Sequence, residues 1–511
     1  MPTKRREDQY KPLLFTTTLR NPERLKGMLA VLKEYNGQIL SNEFAESIAG
    51  EMIRNGLYRP TRVSDDIKDK WKSGEPLSDD EVLIALKNNP QNHKEAGFDK
   101  GWASRFDTWF KIAKELGFVY YEIGKKIEFS DVGLKLADTE HPELEQQAFL
   151  NAFAKYQRSN PFRRVSNENA PLILLLETIK EINADPEFND VGITKLEVPL
   201  LLVWRNNDAR SLYKKIKEIR LEHGYEPSWE IILSEVDKLT GGRHASMPDK
   251  TLMVEYPDEF LRKMRLTGLI TVRGFGRFID LNKKEKAKID YVIENYSQYK
   301  KYNTEREYFD YISSIDNKLI SIERAYETDI EEENRFLLKW AQHFSWETIK
   351  EETIKLTTSR PTSKDEILSL IPNPLRLEFL TALAVINKIP SAKVKPNYIS
   401  DDEGLPSSHA PGNYADIECG EGTKYTLLEV TLLNGVAQVQ REMPPISRHL
   451  EVFKIKEEDT VTFFIAPKIH EDTTRWAAFI KDKDDLDIYN FSIPDFLSGL
   501  ENGEALREIA S

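Results

Sequence analysis

Along the first 300 residues, apolar positions recur mainly at helical spacing, interrupted by two short stretches of strand character. Asn21-Pro22-Glu23 reads as a helix start, with an N-cap, a proline at the first helical position and an acid in the first turn. That helix is predicted through LKGMLAVLKEY to a stop at Asn36-Gly37, and Ser41 caps a second over NEFAESIAGEMIRNG. WASRFDTWFKIAKELG predicts an amphipathic helix closed by Gly117. FVYYEIGKKIEFS predicts two strands around Gly124, and DVGLKLAD resumes helix. The order then repeats: DEFLRKMRLTG ends a helix at Gly268, LITVRGFGRFIDL makes two strands around Gly274–Gly276, and KKEKAKIDYVIENY is helical. Helix, hairpin, helix, twice over, is the shape of a winged helix, which lays one helix in the major groove and touches the backbone or minor groove with its wing. Lys125, Lys126, Arg273 and Arg277 stand at or beside the hairpin tips. The alternative is that both modules serve protein contacts or act as spacers.

Between the two modules, PLILLLETIKEI and VGITKLEVPLLLV supply core faces. RSLYKKIKEIRLEHGY predicts a helix with Arg210, Lys214, Lys217 and Arg220 on one face, suited to a phosphate track although charged faces are most often only solvated. The loop TGGRHASMPDK brings Arg243 and His244 within possible reach of bases or phosphates, and Arg20 is a further candidate cation. Residues 291–365 read as helices with an acidic exposed side. Beyond them, IPNPLRLEFLTALAVINKI is helical, KVKPNYISDDEGLPSSHAPGNYADIECG a loop leading into a strand at Asp416, and KYTLLEVTLL the partner strand. Gly435 opens a helix, VAQVQRE, expected to break at Pro444-Pro445; SRHLEVFK, DTVTFFIAP, DTTRWAAFIKD and the last strand and helix follow. The expected fold is multi-domain, with a mainly α N-terminal part carrying winged-helix-like modules, a helical linker and a C-terminal α/β domain with a mixed sheet. Its expected divisions are 1–140 and 141–290 for recognition, 291–365 for the linker and 366–511 for the candidate site.

Composition sharpens this picture at a few points. At 511 residues the chain should hold three or so domains, by the rule of roughly 150 residues each. The net charge of −13 is uneven: residues 1–300 carry 48 basic against 47 acidic side chains, and residues 301–511 carry 24 against 38. The near-neutral part can hold a phosphate backbone; the acidic part needs metal ions to do so. A single cysteine, Cys419, excludes a disulfide framework and a cysteine-based zinc site. No stretch approaches the length of a membrane span and the N-terminus lacks the apolar core of a secretion signal, so a cytoplasmic location is expected.

The candidate chemistry lies in 415–442, where Asp416, Glu429 and Glu442 stand at two equal intervals of thirteen residues. Glu429 falls inside an apolar strand, with Leu427, Leu428, Val430 and Leu432 around it. A charge there costs several kcal/mol, on the order of a buried ion's desolvation, unless a cation or strong hydrogen bonds compensate. Carboxylate oxygens suit Mg2+ or Mn2+ rather than zinc, and such ions serve phosphodiester hydrolysis. An aspartate and a glutamate at this spacing also occur as ordinary surface acids; it is the apolar flanks of Glu429 that argue against that here.

The runs PSSHAPGNYAD (406–416), LLEVT (427–431), GVAQ (435–438) and REMPPISRHL (441–450) resemble the cleavage domain of AlwI-type IIS restriction endonucleases, whose relatives include PleI, MlyI and nicking enzymes. LRNPERL and VLKEYNGQILSNE, within 19–43, resemble the start of the same enzymes. The resemblance implies a PD-(D/E)xK nuclease domain behind a recognition part. It assigns Asp416 and Glu429 as catalytic metal ligands, Glu442 as the acid on the following helix, and Glu378 as the acid entering from the helix upstream. His409, Gln438, Arg448 and His449 fall on family motif positions near the scissile phosphate. Ala415 replaces the motif proline, and Thr431 stands where the general motif has lysine, so the metal, with Gln438 or Glu442 assisting, would have to prepare the water. The implied function is Mg2+-dependent cleavage of double-stranded DNA a few base pairs from a GGATC- or GAGTC-like site, with Mn2+ substituting and Ca2+ binding without cleavage. Transient dimerisation through the cleavage domain and a cognate methyltransferase in the host are the implied partners. The alternatives are a strand-specific nicking enzyme, a DNA-binding regulator with an inert nuclease domain, and a structure-selective or repair nuclease without a fixed cut position.

Overall fold

The computed structural model describes residues 11–15, 22–138, 141–188, 191–242, 247–358 and 361–510. The chain gathers into two compact units: Met1–Glu46, Gln91–Thr139 and Leu144–Tyr326 form one, and Ser47–Pro90, Glu140–Glu143 and Glu327–Ser511 the other.

The first unit is mainly helical. Its two predicted helix–hairpin–helix runs are present. The first is α1 (Trp102–Glu115), an antiparallel hairpin of β1 (Val119–Tyr120) and β2 (Glu128–Phe129), and α2 (Asp131–Ala137). Alternation along α1 drives Phe106, Trp109, Phe110 and Ala113 into the core, with none of the four more than 0% exposed. Further along come β3 (Ile193–Thr194), α3 (Ala209–His223), α4 (Tyr256–Arg265), β4 (Ile270–Arg273), β5 (Phe278–Leu281) and α5 (Lys286–Tyr296). Here the hairpin β4–β5 gains a third strand, giving the order β3-β5-β4. Gly192 permits that addition, because a Cβ at this residue would lie 2.0 Å from the Ile279 carbonyl oxygen.

The stretch expected as a linker, 291–365, divides between the units. Helices Glu305–Ser313 and Asn317–Ser321 belong to the first; α6 (Ile330–His343) and α7 (Trp346–Lys355) belong to the second. Both α6 and α7 pack on α8 (Asn373–Lys388), burying Leu337, Trp340 and Ile349. Residues 47–90, expected in the first domain, lie in the second unit. Trp71, in the helix Asp65–Ser73, donates its indole N–H to the Ile53 carbonyl at 2.9 Å, and the end of that helix meets 434–435 so closely that a Cβ on Gly435 would stand 2.8 Å from Ser73 O.

The second unit is built on a five-stranded mixed sheet, and it corrects two local expectations. The supposed loop 393–415 contains β6 (Lys393–Pro396) and a small hairpin of β7 (Ile399–Ser400) and β8 (Pro406–Ser408) before β9 (Ile417–Glu421) and β10 (Lys424–Val430). Next, Gln438–Glu442 runs without a break into α9 (Met443–Lys454). Pro444 and Pro445 stand at the junction of the π turn Gln438–Glu442 and the first turn of α9, and the helical path passes through them rather than breaking. β11 (Thr460–Ala466), α10 (Glu471–Asp484), β12 (Ile488–Ser492) and α11 (Ile493–Asn502) complete the unit. The strand order is β12-β11-β10-β9-β6; β10, β11 and β12 run parallel, while β9 is antiparallel to both of its neighbours. Leu427, Phe464 and Ala466 form one core with Met443, Ile446 and Leu450 of α9 and Ala477 and Ile480 of α10. No described helix is long and apolar enough to cross a membrane.

Candidate active site

Sheet register brings two of the predicted acids together. β10 pairs with β9 so that Leu428 faces Ile417, which sets Glu429 across from Asp416 one step further on. Asp416 Oδ2 accepts the Val430 amide at 2.8 Å, and its carbonyl accepts Asn397 N–H at 2.9 Å, so the residue is tied to β10 on one side and to the chain after β6 on the other. Glu429 shares the β10 face of Leu427, toward α9, and is 6% exposed. His449, on α9, lies with Nδ1 2.8 Å from Glu429 Oε1. Glu378 enters from α8, 4% exposed, with His409 Nδ1 2.9 Å from Oε1. Its Oε2 has no hydrogen-bond partner among the described residues. Glu442 accepts the Thr431 hydroxyl at 3.0 Å.

The electrostatics follow from this crowding. Desolvation first, then the charges of Glu378 and Glu429, raise the Asp416 carboxyl well above its ordinary value. Desolvation, followed by Glu442, does the same to Glu429. Glu442 is also raised, chiefly by desolvation, against the opposing hydrogen bond from Thr431. The His449 imidazole is lowered by burial and by the neighbouring Arg448.

Among the described residues no group of three or more His, Cys, Asp or Glu side chains is arranged to hold a metal ion as the side chains stand. The donor chemistry nonetheless fits a divalent cation. Adjacent desolvated carboxylates repel one another, and Glu378 keeps an unpartnered buried oxygen.

Gln438 departs from expectation. It is 0% exposed and fully engaged, donating to Leu433 O and Lys468 O and accepting from His470 N–H and the Thr473 hydroxyl. It ties the 433–438 turn to the segment before α10 and has no capacity left for a water. Arg448, by contrast, is exposed beside His449.

The candidate DNA-binding cations divide. Arg20, Arg243 and His244 lie outside the described residues. The cationic face expected on α3 is not continuous: Arg210 and Lys214 are exposed, Lys217 pairs with Asp185 and Glu187 at 2.6 and 2.9 Å, and Arg220 is buried against Glu197 at 2.7 Å. Helical spacing put these residues on one side, but acids in the neighbouring segments, Asp185 and Glu187 for Lys217 and Glu197 for Arg220, claim the inner two. Arg273 pairs with buried Asp280 at 2.6 Å and so braces the hairpin from within. Lys125 pairs with Glu122 at 2.6 Å and Arg277 with Glu226 at 2.9 Å, whereas Lys126 is exposed at its tip.

Comparison with known protein families matches the description AlwI restriction endonuclease over residues 114–371 and 316–487. The chain belongs to the AlwI restriction endonuclease family. As a member it is a restriction endonuclease, a site-specific deoxyribonuclease whose substrate is DNA, and restriction endonucleases generally use divalent metal ions. Curated proteins gave no match to this AlwI-family chain. Among solved structures, it is similar to the small subunit (R.BspD6I2) of the heterodimeric restriction endonuclease R.BspD6I, at 22% identity over 30% of this chain and 77% of that one, with a TM-score of 0.26. It is also similar to restriction endonuclease FokI, at 12% identity over 98% of each chain with a TM-score of 0.25, and to FokI bound to DNA at 11% identity and 0.23.

Spacing and apolar flanks pointed to Asp416, Glu429 and Glu442, and the resemblance added Glu378, His409 and His449, but which histidine pairs with which acid carries no mark in the sequence. His409 lies 31 residues from Glu378 and His449 lies 20 from Glu429, distances that no local periodicity links. Asn397, which holds both Asp416 O and Ala415 O, gave no signal at all.

Proposed function

We propose that this restriction endonuclease recognises a short asymmetric double-stranded site, GGATC- or GAGTC-like, through residues 1–290. On this reading it hydrolyses a phosphodiester a few base pairs away at the carboxylates of 366–511, leaving 5′-phosphate and 3′-hydroxyl ends. The observation that carries the reading is the opposition of Asp416 and Glu429 across β9 and β10, both desolvated and both raised. Asp416 and Glu429 would hold Mg2+, or Mn2+ in its place, with Glu378 and Glu442 completing the set; Ca2+ would bind without supporting cleavage. A bound Mg2+ supplies a nucleophilic water near neutral pH and neutralises charge developing on the phosphate.

The chain's own groups orient that chemistry. His449 and His409 fix Glu429 and Glu378 in rotation, and the Thr431 hydroxyl holds Glu442. Arg448 is free to meet the phosphate. The mixed order β12-β11-β10-β9-β6 with flanking helices supports a PD-(D/E)xK reading of the domain. The two helix–hairpin–helix runs support winged-helix recognition modules, for which Arg210, Lys214 and Lys126 remain the exposed phosphate contacts. One carboxylate centre cuts one strand, so double-strand cleavage calls for transient pairing of two cleavage domains, and a host carrying this enzyme needs a cognate methyltransferase. The cytoplasm is the location that this role implies.

Incubation with plasmid and Mg2+, with and without EDTA, followed by run-off sequencing of the ends, tests the reading. A single recognition sequence at a fixed offset is expected, and scattered ends would overturn it.

A further inference from the structure

The small hairpin β7–β8 stands between the two halves of the candidate site and carries a group that the function has not used. Ile399 pairs with Ser408, so the next residues outward, Tyr398 and His409, stand across from each other, one on each arm. His409 already reaches Glu378 Oε1 at 2.9 Å. Tyr398 is 5% exposed, and its ring lies edge-on to Phe379, the residue after Glu378, with centroids 6.5 Å apart. Asn397 before it is bound to Asp416 O and Ala415 O. The ring is therefore packed against the helix of Glu378, on a segment whose preceding residue is tied to the strand end of Asp416. Tyr398 Oη and Glu378 Oε2 are both buried, and neither has a hydrogen-bond partner among the described residues. Each carries a desolvation cost, and one hydrogen bond between them would remove both. Burial first, and then the charges of Glu333, Glu378 and Asp401, raise the phenol above its ordinary value and favour its protonated, donating form.

We infer that Tyr398 is a positioning residue for Glu378: its phenol donates to Oε2 when the carboxylate is drawn into cation binding, while His409 holds Oε1. The hairpin thus grips one carboxylate with one donor from each arm and fixes which lone pairs of Glu378 face the cation. In a centre whose motif lysine is replaced by Thr431, this is a neutral way to hold a charged acid in place. The inference rests on the metal-centre reading above.

Tyr398→Phe in the full-length protein keeps the ring packed on Phe379 and removes only the hydroxyl. Two curves test it: the rise in melting temperature against Ca2+ concentration, and the single-turnover cleavage rate of supercoiled plasmid against Mg2+ concentration. Both midpoints are expected to move about tenfold to higher cation, with a smaller change in the plateau rate. Unchanged midpoints would overturn the inference, as would a lower melting temperature without any midpoint shift. The same substitution in a Glu378→Gln background guards against a general loss of folding. There it should move the Ca2+ midpoint by less than twofold, and a full tenfold shift would count against Tyr398 acting through Glu378. Asp416→Ala separates the two levels: wild-type cleavage by it overturns the metal-centre reading, whereas its inactivity beside normal midpoints in Tyr398→Phe overturns only the role of Tyr398.

Discussion

The hydroxyl of Thr431 donates to Glu442 Oε1 at 3.0 Å, so the position where the general motif has lysine is occupied by a donor facing another acid. Thr431 is 9% exposed and its own N–H donates to Ile465 O at 3.0 Å, which continues the β10–β11 ladder one residue past the strand. Replacing Thr431 by Val keeps the shape and removes the donor. Urea unfolding should then show a loss of about 1 kcal/mol, the net worth of a buried hydrogen bond. Unchanged stability would mean that Glu442 is held by other groups.

Asp416→Ala and Glu429→Ala should each lower plasmid cleavage by on the order of 10³-fold, because in the proposed reading the opposed pair holds the cation. Binding of the mapped target duplex in Ca2+ should remain within a few-fold in a gel-shift measurement. Wild-type cleavage by either variant is the contrary result.

The raised carboxyls also fix a pH dependence. In the folded chain Asp416 and Glu429 keep protons that the unfolded chain releases near pH 4. Their contribution to stability is therefore complete below that pH and is lost as pH rises toward the folded-state values. A cation favours the ionised forms and competes with those protons. The rise in melting temperature produced by Ca2+ should accordingly be larger at pH 8 than at pH 5.5 and absent from an Asp416→Asn, Glu429→Gln double variant. An equal rise at both pH values would contradict this coupling.

Gln438→Ala leaves two carbonyls, an amide and a hydroxyl without their buried partner, and should destabilise the second unit by about 2–4 kcal/mol. Because Gln438 has no free hydrogen-bonding capacity, cleavage measured well below the melting temperature should change by no more than about threefold. A large loss of rate with full stability would return Gln438 to the reaction.

On α3 the inner and outer cations should separate cleanly. Arg220→Ala strands buried Glu197 and should cost about 3–5 kcal/mol in unfolding. Lys214→Ala should leave stability within about 0.5 kcal/mol and reduce the salt slope of DNA binding by about one. Equal effects of the two on DNA affinity alone would restore the continuous face.

Local chemistry accounts for what was legible before folding. Phe106, Trp109 and Phe110 announce α1 by periodicity, Gly117 and Gly268 end their helices with positive φ, and the apolar run around Glu429 marks a buried strand whose charge needs explaining. Pro444-Pro445 do not end the helix, because they fall at the junction where the π turn Gln438–Glu442 passes into the first turn of α9. Strands β6 to β8 were read as loop because four-residue and shorter strands rich in Lys, Pro and Ser have no period to detect, and they exist only through pairing with β9 or with each other.

Local pattern thus specified the helices, the hairpins, the mixed character of the last third and the acids Asp416, Glu429 and Glu442, with Glu378 added by resemblance. Tertiary structure decided everything that depends on partners distant in the chain. It set Asp416 against Glu429 by strand register, gave each of Glu429 and Glu378 a histidine, consumed Gln438, and neutralised Lys217, Arg220 and Arg273. The reason is physical: periodicity is a property of one segment, whereas the fate of a charge is set by whichever group the fold brings within about 3–4 Å of it.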